Sequence, residues 1–121
     1  MEELKKPKVL SASSLVGDKV TNTNGEDLGT VESIMIDLER GRVAYVVLSF
    51  GRVNWMPNNK FFAVPWEVIS ISFHDKKVII NVSQETLKAA PGFDREKWPD
   101  LGDFDWLATV YQSYDRTPYW K

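Results

Sequence analysis

Carboxylates are the residues of this chain whose types and spacing come nearest to a chemical site. Asp100, Asp103 and Asp105 lie close together, but they lack the further ligands and the closing glutamate of an EF-hand loop. Helix capping and the helix dipole account for two of the three without an ion. Asp37 and Glu39 form a second possible pair, but they stand beside a predicted turn, so we expect both to be solvated.

The remaining residues exclude several other kinds of site. The chain has no cysteine and one histidine, so disulfides, thiolate zinc sites and histidine-built zinc sites are ruled out. His74 falls at the wet end of a predicted strand, and Ser49 lacks the glycines of a nucleophile elbow. We therefore expect no catalytic residue, no metal and no cofactor. An enzyme would have to rely on carboxylates alone, and a pocket in which they converge would favour that hypothesis.

The length and composition of the chain are those of a small globular protein. The 121 residues suffice for one domain, and the formal net charge of −2 argues against direct DNA binding, which needs a basic face. No apolar run approaches the roughly 20 residues of a membrane span, and the charged N-terminus does not resemble a signal peptide. These features predict a cytoplasmic protein.

The elements that must position any site are organised around one predicted hairpin. Residues 28–37 and 42–50 are two β-branched, aliphatic runs, and Gly41 can take the positive φ that the turn between them requires. The second run is apolar at nearly every position. We therefore expect Tyr45 to Leu48 to be buried on both faces of a sheet.

Other segments predict further strands of an all-β domain. Residues 19–22 form a short strand before an Asn24-Gly25 turn, residues 60–66 form a strand that ends at Pro65, and residues 68–73 and 77–82 form a hairpin. Ser83 is a predicted N-cap of a short helix that Pro91 stops. In the loop between residues 51 and 60, Trp55 and Met56 either fold back onto the core or form a contact patch.

Aromatic residues concentrate at the C-terminus, where the last 29 residues hold eight of the 15 in the chain. Asp103 or Asp105 is expected to cap a helix that runs to about Tyr114, with Leu107, Tyr111 and Tyr114 on one face. Burying each large apolar side chain contributes roughly 1.5–3 kcal/mol. The segment must therefore pack on its own domain or on another chain.

Several motifs, taken in order, resemble the PRC-barrel family, named for the cytoplasmic domain of the photosynthetic reaction-centre H subunit. They are Asn22 to Glu26 with Leu28-Gly29, Ile36-Asp37 with residues 41–51, Phe62-Ala63-Val64-Pro65-Trp66, residues 89–94 with Trp98-Pro99, and Pro118-Tyr119-Trp120. The resemblance covers about Leu10 to Trp120. It departs from the family pattern at residues 52–59, where relatives tend to be rich in glycine.

The resemblance implies a small, mostly antiparallel β-barrel of about six strands with short C-terminal helices. The expected organisation is a flexible tail over residues 1–9, the barrel domain over 10–83 and an aromatic extension over 84–121. In the reaction centre such a domain sits against a membrane complex and influences quinone electron transfer. In a ribosome maturation factor a related domain helps bind a ribosomal protein. Neither role needs catalytic residues in the barrel.

We therefore predict a non-catalytic assembly or regulatory module with an unidentified protein partner, and a homodimer whose contact includes the aromatic tail. The alternatives are an RNA- or ribosome-associated accessory factor and, less favoured, a carboxylate-dependent enzyme. The tail can instead wrap its own barrel and cap an open edge. The predicted contact residues are Trp55, Met56, Trp98, Trp106, Tyr111, Tyr114 and Trp120.

Overall fold

A computed structural model describes residues 9–50, 60–72, 74–100 and 102–121. The described part contains a 3₁₀ turn at Ala12–Ser14, a second at Trp66–Val68, seven strands and two α-helices. The strands and helices, in chain order, are β1 (Lys19–Thr21), β2 (Asp27–Asp37), β3 (Arg42–Ser49), β4 (Lys60–Pro65), β5 (Ile69–Ser72), β6 (Lys77–Ile80), α1 (Gln84–Ala89), β7 (Gly92–Asp94) and α2 (Phe104–Ser113).

The strands form one open mixed sheet in the order β5-β6-β1-β2-β3-β4-β7. The predicted sheet-rich fold with short helices is therefore confirmed, but within the described ranges the sheet does not close into a barrel and its strands are mixed in direction. β1 pairs parallel with β6, whereas the other neighbouring pairs are antiparallel. β4 and β5 do not pair, because a 3₁₀ turn separates them and β7 of the C-terminal extension takes the available edge of β4.

The β2–β3 hairpin is the centre of the sheet, as predicted. Gly41 closes its turn with φ +66°, and its N–H donates to the carbonyl of Asp37 at 2.8 Å. Residues 44–48 of β3 are all buried, with Val46 only 2% exposed, which confirms that this strand is covered on both faces. Gly29 of β2 passes so close to β3 that a Cβ there would collide with the carbonyl oxygen of Ser49.

Local signals for turns and caps are also confirmed. The Asn22 side chain accepts the N–H groups of Asn24 and Glu26 and so holds the β1–β2 turn. Ser83 caps α1 by accepting the Thr86 N–H, and Asp103 caps α2 by accepting the Trp106 N–H. Each cap satisfies a backbone donor that the first helical turn leaves without a partner.

The aromatic extension packs on its own sheet. Leu107, Val110 and Tyr111 of α2 and the following Tyr114 are buried, as the helical spacing predicted. α2 contacts β4 of the same chain, so this face is buried without a second subunit. No helix within the described ranges is both long and apolar enough to cross a membrane.

Candidate functional site

A groove lies between the tip of the β2–β3 hairpin and the start of α2. Its volume is about 390 Å³, within the range of roughly 300–1,000 Å³ that is typical of ligand pockets. The hairpin supplies one wall, and the start of α2 with Asp100, Gly102 and Asp103 supplies the other. The lining residues are Met35, Ile36, Asp37, Leu38, Glu39, Ala44, Tyr45, Asp100, Gly102, Asp103, Phe104, Trp106 and Leu107.

The tip of the hairpin reverses the usual distribution of apolar and charged residues. Ile36 is 52% exposed and Leu38 is 90% exposed, whereas Asp37 between them is 5% exposed. The expectation that Asp37 is solvated is therefore wrong, while Glu39 does face solvent. A buried charge and an exposed apolar patch are the two departures from normal burial that most often carry information.

Asp37 is buried because four donors surround its carboxylate. The Tyr119 hydroxyl donates to Oδ2 at 2.5 Å, and the Arg40 guanidinium donates to the same oxygen at 3.2 Å. The backbone N–H groups of Glu39 and Arg40 donate to Oδ1, each at 3.0 Å. The hydrogen bond from Tyr119, with those from Arg40, lowers the pKa of Asp37 and outweighs the effect of burial. This carboxylate thus ties the hairpin tip to the C-terminus.

A second set of contacts joins α2 to β3. The Tyr111 hydroxyl lies 2.7 Å from the carbonyl oxygen of Ala44 and 3.1 Å from a carboxylate oxygen of Glu67. Burial, followed by the charge of Glu67, raises the pKa of Tyr111. Arg42 donates to Glu67 at 2.6 Å, and its guanidinium lies 3.7 Å from the ring centroid of Tyr119. Together these contacts hold α2 and the C-terminus against β3, beside the groove.

The predicted contact residues fall in different environments. Trp55 and Met56 lie outside the described residues. Tyr111 and Tyr114 are buried within the chain, and Trp120 is half-buried, with its ring 5.5 Å from that of Tyr111. Nothing in these positions requires a second subunit.

The other two tryptophans lie nearer the surface. Trp106 lines the groove, and its ring stands edge-on to Tyr45 with centroids 5.7 Å apart. Trp98 is 38% exposed and packs against Phe61 and Phe93, beside the edge strand β7. Of the predicted set that the structure describes, Trp106 and Trp98 are therefore the two that a binding surface can use most directly.

Sequence reasoning missed the hairpin tip and its partner Tyr119. One signal was present, because Leu38 is a large apolar residue within the otherwise polar turn from Asp37 to Gly41. The bond between Asp37 and Tyr119 had no local signal, since the two residues are 82 positions apart.

The acidic segment before α2 has a structural role. Asp100 accepts the Gly102 N–H at 3.0 Å, and Asp103 caps α2. Among the residues that the structure describes, no group of three or more His, Cys, Asp or Glu side chains is arranged to hold a metal ion. His74 is exposed.

Comparison with known proteins identifies the sheet domain. The model of the PRC-barrel domain matches residues 7–87, which is more than half of the chain. None of the curated proteins compared with the chain matches it. The matched region contains β1 to β6 and most of α1, whereas β7 and α2 follow it.

Proposed function

The chain belongs to the PRC-barrel family, and from that premise we propose that it is a non-catalytic interaction module that holds a partner protein in the groove. One observation carries the proposal, which is the apolar surface of Ile36 and Leu38 beside a preformed cavity. Large apolar side chains held in water at the rim of a cavity are typical of binding sites.

The carboxylates of the groove are the main argument for an enzyme, and their contacts favour a structural role. Asp37, Asp100 and Asp103 each accept backbone N–H groups. Asp37 also holds Tyr119 and Arg40, and these contacts lower its pKa and so favour its ionised form. A carboxylate so occupied is poorly suited to donate a proton to a substrate or to take one from it. This supports the non-catalytic proposal.

The RNA- or ribosome-associated alternative needs a basic face. Lys19 and Lys77 stand opposite each other in β1 and β6, but Asp18 precedes the first and Asp75 lies in the turn before the second. Acidic residues thus lie near both lysines along the chain, which favours the interaction module over an RNA-binding factor. A cytoplasmic location, which both hypotheses share, stays a prediction.

Affinity capture tests the proposed function. The full chain and an Ile36→Ser/Leu38→Ser variant are used as baits in lysate of the native host, and bound proteins are quantified by mass spectrometry. We expect at least one protein to bind the unaltered chain and to be lost, about tenfold or more, with the variant. The control is Val16→Ser, which alters an apolar residue that is 49% exposed outside the groove. Equal capture by all three baits would contradict the proposal.

A second surface favours self-association. β7 is an edge strand of an open sheet, and the exposed Trp98 lies against Phe93 within it. Edge strands pair readily with another chain, and tryptophan is enriched at the centres of interfaces. We therefore propose that two copies associate at the β7 edge, as a contact separate from the groove.

Sedimentation equilibrium of the full chain tests self-association. We expect a mass approaching twice the 13.9 kDa of one chain at high micromolar concentration, and a return toward 13.9 kDa with Trp98→Ala. A single 13.9 kDa species at every concentration would show that the aromatic extension serves its own chain only.

A further inference from the structure

The polarity and charge of the residues that line the groove indicate which kind of partner it binds. Its floor is apolar, with Met35, Tyr45 and Leu107 among the residues that line it. Ile36 and Leu38 extend the apolar surface out of the cavity along the hairpin tip. A partner that covers this surface must therefore present at least one large apolar side chain.

The rim of the groove is acidic. Glu39, Asp100 and Asp103 line it and are exposed, and none of the lining residues that the structure describes is a lysine or an arginine. The neighbouring cation is Arg40, whose guanidinium bonds to Asp37 at 3.2 Å and lies 5.5 Å from the ring centroid of Phe104. The same guanidinium also lies 3.6 Å from a carboxylate oxygen of Glu39. One guanidinium does not balance the four carboxylates that line the groove, so a negative potential remains around the apolar floor.

Resting on the function proposed above, we propose that the groove takes a basic linear segment of a partner protein, in which an apolar side chain enters the cavity and flanking Lys or Arg side chains meet the acidic rim. Charge complementarity at a rim directs encounter and excludes wrong partners. A second copy of this chain would oppose one acidic rim to another, and anionic lipid or nucleic acid would be repelled in the same way. The basic segment is the occupant that the charges favour.

A peptide selection tests the proposal without knowledge of the natural partner. Random short peptides displayed on phage are selected on the full chain and counter-selected on the Ile36→Ser/Leu38→Ser variant, and the enriched peptides are synthesised with a fluorophore. We expect sequences with one or two large apolar residues flanked by Lys or Arg. Their affinity should fall about tenfold or more in the double variant. It should also fall as salt is added, because the rim charges are exposed.

A charge reversal separates the rim from the cavity. Glu39→Lys changes an exposed side chain at the groove, and Glu32→Lys makes the same change at an exposed position of β2 that does not line the groove. We expect Glu39→Lys to weaken the selected peptides a few-fold and Glu32→Lys to have a smaller effect. Circular dichroism of every variant confirms that the fold is retained.

Each other outcome overturns the proposal in a distinguishable way. Acidic or uncharged peptides that still require Ile36 and Leu38 would reject the basic segment and leave the groove as the interaction site. Peptides that bind all variants equally, or no enrichment, would reject the groove as a peptide site. A change in sedimentation with Ile36→Ser/Leu38→Ser would make a second copy of the chain the occupant.

Discussion

The middle and the tip of the β2–β3 hairpin differ in which side chains they bury. At the middle of β3, Val46 and Val47 are buried on both faces of the sheet, where aliphatic side chains stabilise the fold. At the tip of β2, the aliphatic Ile36 and Leu38 face water, and the charged Asp37 is buried. Both regions belong to the β2–β3 pair, and the register of that pair shifts between Met35 and Ile36, where the tip begins. The two regions also differ in what each must contact.

Folding alone explains why the aliphatic side chains at the middle of β3 are buried. It does not explain why aliphatic side chains at the tip are exposed while Asp37 is buried. An exposed apolar side chain adds little to the stability of its own chain, and a buried charge needs several donors to offset its desolvation. The donors of Asp37 come from the turn and from Tyr119, so the C-terminus holds the tip in one conformation. The tip is thus tied to the C-terminus and apolar at its surface, which are properties expected of a preformed binding surface.

The largest effect on stability is expected at the middle of β3. Val46→Asp should unfold the domain, because it places a charge without a partner where the side chain is 2% exposed. We expect a loss of more than about 4 kcal/mol, enough to remove most of the stability of a small domain. The measurement is thermal unfolding followed by circular dichroism.

The control for this change is Val16→Asp, at a residue that is 49% exposed. It should leave the free energy of unfolding within about 0.5 kcal/mol of the unaltered chain. A soluble Val46→Asp variant that melts cooperatively near the original temperature would show that β3 is an edge strand in solution.

A smaller effect is expected where α2 meets β3. Tyr111→Phe removes a buried hydroxyl that bonds to the Ala44 carbonyl and Glu67, so it should lower the free energy of unfolding by about 1–2 kcal/mol. Tyr114→Phe is the matched control, because the Tyr114 hydroxyl is buried without a hydrogen-bond partner among the described residues. That change should be neutral or slightly stabilising.

Urea unfolding with a constant m value measures both variants. If both variants lose the same free energy of unfolding, the hydrogen bonds of the Tyr111 hydroxyl add nothing to stability.

Acid should weaken the contacts of Asp37 at the tip of the hairpin and so lower the stability of the domain. The pKa of Asp37 is lowered in the folded chain, so its contribution to stability is present above the unfolded pKa of about 4 and is lost as the pH falls through the folded value. We expect the melting temperature to fall by a few degrees in this range, and Asp37→Asn to remove most of that dependence while also lowering stability at neutral pH.

Asp94→Asn is the control for the acid effect. The Lys60 side chain also lowers the pKa of Asp94, but both partners of this pair are about two-fifths exposed. Surface ion pairs contribute little, so this change should alter the acid dependence less than Asp37→Asn does. The opposite order would show that the Asp37 contacts are not maintained in solution.

The sequence predicted what is decided locally. The strand through Val46 and the Ser83 cap follow from hydrophobic pattern and short-range hydrogen bonds, and both are confirmed. Of the two aspartates predicted as caps of α2, Asp103 is the one that caps it. The open sheet was not predictable, because it depends on the pairing of β4 with β7, which a 3₁₀ turn, β5, β6 and α1 separate along the chain. The burial of Asp37 depends in the same way on a distant partner, Tyr119.

The smallest expected effect on stability is at Leu38. Because this side chain is 90% exposed, Leu38→Ser should change the free energy of unfolding by no more than about 0.5 kcal/mol. Leu48→Ser, the same substitution at a fully buried position of β3, should cost several kcal/mol. Urea unfolding compares the two. A loss above about 1 kcal/mol for Leu38→Ser would mean that Leu38 already packs on its own chain in solution, and the tip would then have no free apolar surface to offer a partner.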